Sequence, residues 1–154
     1  MLQHYITQFE AIYQGEPWFG ESFEEKLKGL DEHNAFQRPT AEIHSIAELL
    51  HHSIYWRSML IKRLNGDITY KGSMKSEENW LPLEKLKAKG WKKILEAWHT
   101  SQRELIEGLR QAPETFFSAP YRNGHTHAHL VEGVLQHDIY HLGQIGLVKS
   151  MLKI

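Results

Sequence analysis

Apolar residues recur at steps of three and four in four long stretches of this chain, the period of a helix with one face turned inward. Leu2, Tyr5, Ile6, Phe9, Ile12 and Tyr13 predict a first helix over Leu2–Tyr13, which Gly15 and Pro17 end. A second is expected from Ala41 to Leu64, with Ile46, Leu49, His52, Ser53, Trp56, Leu60 and Leu64 on its inner stripe. Thr40 is its expected N-cap, and Asn65-Gly66 closes it. A third, over Leu83–Gln111, carries Leu86, Trp91, Ile94, Leu95, Trp98, Leu105, Ile106 and Leu109 and ends at Ala112-Pro113. The last follows Thr126 as N-cap. Its clearest part is Leu130–Leu152, where Leu130, Val134, His137, His141, Ile145 and Val148 share one face.

The intervening segments are less regular. Ser22–Gly29 predicts a short helix with Phe23, Leu27 and Leu30 facing inward, preceded by the turn-rich GEPWFG stretch, Gly15–Gly20. Asp67–Pro82 and Glu114–Gly124 show no helical period and read as loops, the second plugged by Phe116 and Phe117. Gly90 weakens the first turns of the third helix by roughly 1 kcal/mol relative to alanine. No segment alternates with period two. The pattern therefore predicts an all-α fold, most simply a four-helix bundle, as one domain over residues 1–154. Asp67–Pro82, extended at roughly 3.3 Å per residue, can run back along a ~30 Å helix, so the second and third helices can lie parallel across a crossover.

Composition removes several function classes. The formal net charge of −1 gives no electrostatic case for nucleic acid or an anionic membrane as partner. The absence of cysteine excludes disulfides, thiolate ligands and a cysteine nucleophile. No basic, apolar leader opens the sequence and no apolar run is long enough to span a bilayer, so the expectation is a cytoplasmic protein.

The unusual total is 11 histidines in 154 residues. That density produces about 0.8 pairs four apart by chance, so His137 and His141 alone carry little weight. A second such pair, His125 and His129 in GHTHAHL, reads as surface decoration. What distinguishes His137 and His141 is that both fall on an inner stripe, as His52 does independently on the second helix. His51 lies about 100° further round and nearer the edge. If the two helices are neighbours, three imidazoles meet inside the bundle. Burying them unpartnered costs free energy for each unpaired nitrogen, and one divalent cation satisfies all three. Spacing and phase leave two readings open at this point: a metal centre, or core histidines bonded to other side chains or water.

Ser45-Ile46-Ala47-Glu48-Leu49-Leu50-His51-His52, followed by Trp56-Arg57, resembles the second-helix signature of the DinB/YfiT-like family. His137-Asp138-Ile139-Tyr140-His141-Leu142-Gly143-Gln144-Ile145 resembles its last-helix signature. GEPWFG and Asn65-Gly66 are similar to members of that family, and the resemblance covers nearly the whole chain. It implies a bundle of up-down-down-up topology, with long loops after the first and second helices. It also implies a divalent metal, zinc or nickel, held by His52, His137 and His141. Two residues nearby have two readings each. Glu48, one turn before His52, is either an acceptor that orients it or an exposed carboxylate; Gln144 either reaches toward the metal or bridges helices.

Three protein nitrogens leave a coordination position open, the arrangement of catalytic rather than structural zinc. Such an ion polarises a substrate oxygen, activates water or binds a thiolate. Without cysteine, a thiol must come from a low-molecular-weight cosubstrate, and some members of the family are thiol-dependent transferases or isomerases while others are described as hydrolases. The first expectation is an enzyme acting on a small-molecule substrate. The second is a non-enzymatic metal-binding bundle, a sensor or interaction module, as a homodimer. No general base is assigned.

Overall fold

The computed structural model describes residues 2–154. In chain order the elements are α1 (Leu2–Gln14), α2 (Phe23–Leu27), α3 (Glu32–Ala35), α4 (Ile46–Leu64), a 3-10 turn (Glu77–Trp80), α5 (Leu83–Lys89), α6 (Trp91–Gln111), α7 (Glu114–Ser118), the strands β1 (Pro120–Arg122) and β2 (His125–Thr126), and α8 (His127–Leu152). The fold is all-α apart from that small hairpin. No helix among the described residues is long and apolar enough to cross a membrane.

The inward stripes behave as their spacing requires. Phe9, Ile12, Phe23, Ile46, Leu60, Trp98, Leu105, Leu109 and Ile145 are all buried in one continuous core. α4 packs against both α6 and α8, and α1 against the same two helices. Arg57 meets Ser101, and Leu64 lies against Gly108, so α4 and α6 run in the same direction. Arg57 also meets Asp138 while Arg63 meets His127, so α8 runs against α4.

Local chemistry moves three boundaries from where periodicity places them. α4 begins at Ile46, not Ala41. Ser45 and Glu48 form a reciprocal capping box: Glu48 Oε2 accepts from the Ser45 N–H at 2.8 Å, and Ser45 Oγ accepts from the Glu48 N–H at 3.3 Å. Thr40 instead closes a turn, its carbonyl accepting from the Ile43 N–H. The expected third helix is two helices, because Gly90 has φ +85° and cannot continue a right-handed turn. α6 starts afresh there, with the Trp91 N–H donating to Glu32 Oε1 of α3 at 2.8 Å. The stretch expected to be irregular, Glu114–Gly124, contains α7 and most of a two-residue hairpin. Asn123 and Gly124 both take positive φ, 52° and 78°, as a type I′ turn demands. The strands are too short to show alternation, so the Asn-Gly pair was the only signal for them. Phe116 and Phe117 are buried as plugs.

Candidate metal centre

α4 and α8 bring His52, His137 and His141 together at one point between them. His137 Nε2 lies 3.1 Å from His52 Nε2 and 3.0 Å from His141 Nε2. One ligand atom from each of the three lies within 4.8 Å of the others. His52 and His141 are buried and His137 is half-buried. His137 and His141 come from adjacent turns of one helix face, and His52 supplies the third imidazole because α8 crosses beside α4 at its level.

The outer nitrogens fix how these rings present themselves. His52 Nδ1–H donates to the Asn79 carbonyl at 2.7 Å, and His141 Nδ1–H donates to Gln144 Oε1 at 2.6 Å. Both acceptors leave the proton on Nδ1, so Nε2 of each ring is a bare lone pair aimed at the third ring. Burial pushes the His52 imidazole down to about 4 and His137 to about 3, each reinforced by its imidazole neighbours, and burial lowers His141 as well. Neutral imidazole is the form that binds metal.

These residues fit a divalent ion. Lone pairs converge with at most one proton, on His137, to share among them, and the buried His137 Nδ1 has no partner of its own. Bonds of 2.0–2.1 Å at tetrahedral angles set ligand nitrogens ~3.3–3.4 Å apart, within a few tenths of an ångström of the two separations from His137 Nε2. Among the described residues no carboxylate joins the three.

The surroundings hold the rings in place. Trp80 of the 3-10 turn stacks on His52, with ring centroids 3.8 Å apart and planes 9° from parallel, and on its other side stacks on His44 at 4.0 Å. The loop after α4 thus covers the centre with Asn79 and Trp80, which lie in a stretch with no periodic signal. A buried ion pair, Arg57 Nε to Asp138 Oδ2 at 2.8 Å, ties α4 to α8 beside the three histidines, and the Arg57 guanidinium lies 3.7 Å from the Trp98 ring centroid. Both residues fall on the inner stripes by phase, a signal sufficient to place them in the core. Glu48 takes neither of its two expected roles: it is buried, caps α4 and pairs with Arg38 and His44, without touching His52. Gln144 touches the centre, but through His141. His51 faces Glu78 instead, 3.9 Å away. His125 and His129 stack on one another at 3.9 Å, exposed and apart from the three.

A cavity of about 300 Å³ borders His137. Trp56, Met59, Leu130 and Val134 form its apolar walls. A larger recess of about 950 Å³ between α1, α4 and α6 touches none of the three histidines and is lined by charges of both signs.

Fold and centre together define a helical bundle whose core carries a three-histidine site. The DinB superfamily family model matches residues 20–145, and the chain belongs to that superfamily. No curated protein and no solved structure matches it.

Proposed function

We propose that the chain is a divalent-metal-dependent enzyme acting on a small molecule, of the thiol-transferring or hydrolytic type. The observation that carries this reading is the cavity beside His137: three protein nitrogens would hold the ion, no carboxylate joins them, and open space adjoins His137. A zinc or nickel ion held by His52, His137 and His141 would act as a Lewis acid toward a substrate oxygen or sulfur. The chain's own residues do the rest. Asn79 and Gln144 orient the ligand rings, Trp80 covers them, and Trp56 and Met59 shape the space a substrate enters. With no cysteine in the chain, a thiol nucleophile is supplied as a low-molecular-weight cosubstrate.

A second reading, a metal-binding interaction module that pairs with a copy of itself, is favoured by exposed Tyr140, Leu147 and Met151 along the outside of α8. Purified protein analysed for metal content, then assayed for conjugation of several small thiols to a generic electrophile with and without added zinc or nickel, separates the two. Metal-dependent turnover that disappears in His137→Ala supports the enzyme. Stoichiometric metal with no turnover of any thiol, together with a dimer in solution, supports the module.

A further inference from the structure

The same cavity also carries a different chemistry. Its mouth is formed by the hairpin and the first turn of α8, where Arg122, His125 and His129 line it. The hairpin register sets Arg122 opposite His125, and the type I′ turn at Asn123-Gly124 holds that pairing. His129, one turn after His125, stacks flat on it with planes 12° apart. Arg122 has no carboxylate within ion-pairing distance among the described residues; its guanidinium lies 5.3 Å from the Tyr121 ring centroid. The cavity lining contains no aspartate or glutamate at all, although acidic residues slightly outnumber lysine and arginine in the whole chain, 19 to 18. A permanent cation and two imidazoles thus stand in a slot walled elsewhere by apolar side chains and bordered also by His137.

We propose that this cavity takes small organic acids: molecules with an apolar body seated against Trp56, Met59 and Val134, and a carboxylate held at the mouth by Arg122 with His125 and His129. Arg122 supplies the planar, two-pronged donor geometry that suits a carboxylate. The volume is at the lower end of the range for ligand sites, which restricts the body to roughly one ring or a short chain. The proposal rests on the enzymatic reading for its biological sense, since it names that enzyme's substrate class, but its test reads binding without turnover.

Binding of 3-phenylpropionate and of its neutral amide is measured by calorimetry at pH 7, on metal-free and zinc-loaded protein. The acid is expected to bind at least about tenfold tighter than the amide, a difference of about 1.4 kcal/mol. Arg122→Gln is expected to remove most of that preference while the amide affinity stays within about twofold and the melting temperature is unchanged, because Arg122 is exposed. Trp56→Leu is expected to weaken both ligands. Equal affinities, no saturable binding of either ligand at millimolar concentration, or an Arg122→Gln protein that keeps the preference would each overturn the proposal. Zinc binding with no acid preference defeats the acid subsite alone. Acid preference in a protein that binds no metal defeats the metal-enzyme reading alone.

Discussion

Arg57 and Asp138 form a fully buried ion pair, 2.8 Å from Nε to Oδ2, and Asp138 directly follows His137. The pair crosses from α4 to α8 one turn or so from the point where His52 meets His137 and His141. It therefore sets the register at which the three imidazoles face one another. Breaking such a pair leaves an uncompensated buried charge. Arg57→Met is expected to destabilise the fold by about 3–5 kcal/mol, read from the urea midpoint with an unchanged slope. A double variant, Arg57→Met with Asp138→Leu, should recover most of that loss. If the single variant is as stable as the parent, the pair does not anchor α8 on α4.

Metal binding should depend on three histidines and not on their neighbour. At a metal concentration 100 times Kd, a ligand specific to the folded state adds about 2.7 kcal/mol of stability. That increment is expected in the parent and in His51→Ala, and is expected to vanish in His52→Ala and His137→Ala. His51 is the useful control, since it adjoins His52 in sequence yet points toward Glu78. Thermal melting under zinc titration, alongside elemental analysis, checks each variant; an increment that survives His137→Ala refutes the centre.

Gln144 acts on the centre through His141 Nδ1. Gln144→Leu removes the acceptor that holds the proton on Nδ1 and the lone pair on Nε2. Losses of this kind lower metal affinity by about 10- to 100-fold. The apo protein's melting temperature should move little by comparison, because Gln144 is only half-buried. Competition against a chromogenic chelator measures the affinity, and an unchanged value would mean the bond does not orient His141.

Glu48 predicts an acid-sensitive fold. Burial alone would raise its carboxyl, but the hydrogen bonds from Arg38, from the Ser45 backbone and hydroxyl, and from His44 outweigh burial and hold it at about 2, below its ordinary 4.5. A depressed carboxyl stabilises the fold above its unfolded value and loses that contribution as pH falls toward its folded value. The parent should therefore lose stability between about pH 4.5 and 2 more steeply than Glu48→Gln does. At neutral pH the variant is expected to be less stable, because the amide keeps the capping acceptor but loses the buried charge that pairs with Arg38. Denaturant unfolding at several pH values in that window gives both slopes.

Periodicity in the sequence found the long helical stretches, though not where the second begins or that Gly90 divides the third, and its phase put His52, His137 and His141 on inward stripes. Period-3.6 burial is a local property: one helix needs one apolar face whatever packs against it. Phase and the four-residue step from His52 to Trp56 favoured His52 over His51, the family resemblance implied the ligand set, and the structure brings those three nitrogens together. Helix ends were legible where a capping motif was read as such. Ser45-x-x-Glu48 carries the capping box of α4 in the sequence itself, whereas Thr40, the expected N-cap, only closes a turn. Other features depend on contacts between residues far apart in the chain. Asn79 and Trp80 close over His52 from a loop with no repeating pattern, because a carbonyl and an indole are aimed by the path of the chain rather than by their spacing. The cavity, its acid-free lining and its cationic mouth exist only where α4, α8 and the hairpin enclose space. The sequence determined which residues turn inward; the tertiary structure decided which of them meet, since proximity across helices is set by packing and register, which no single helix encodes.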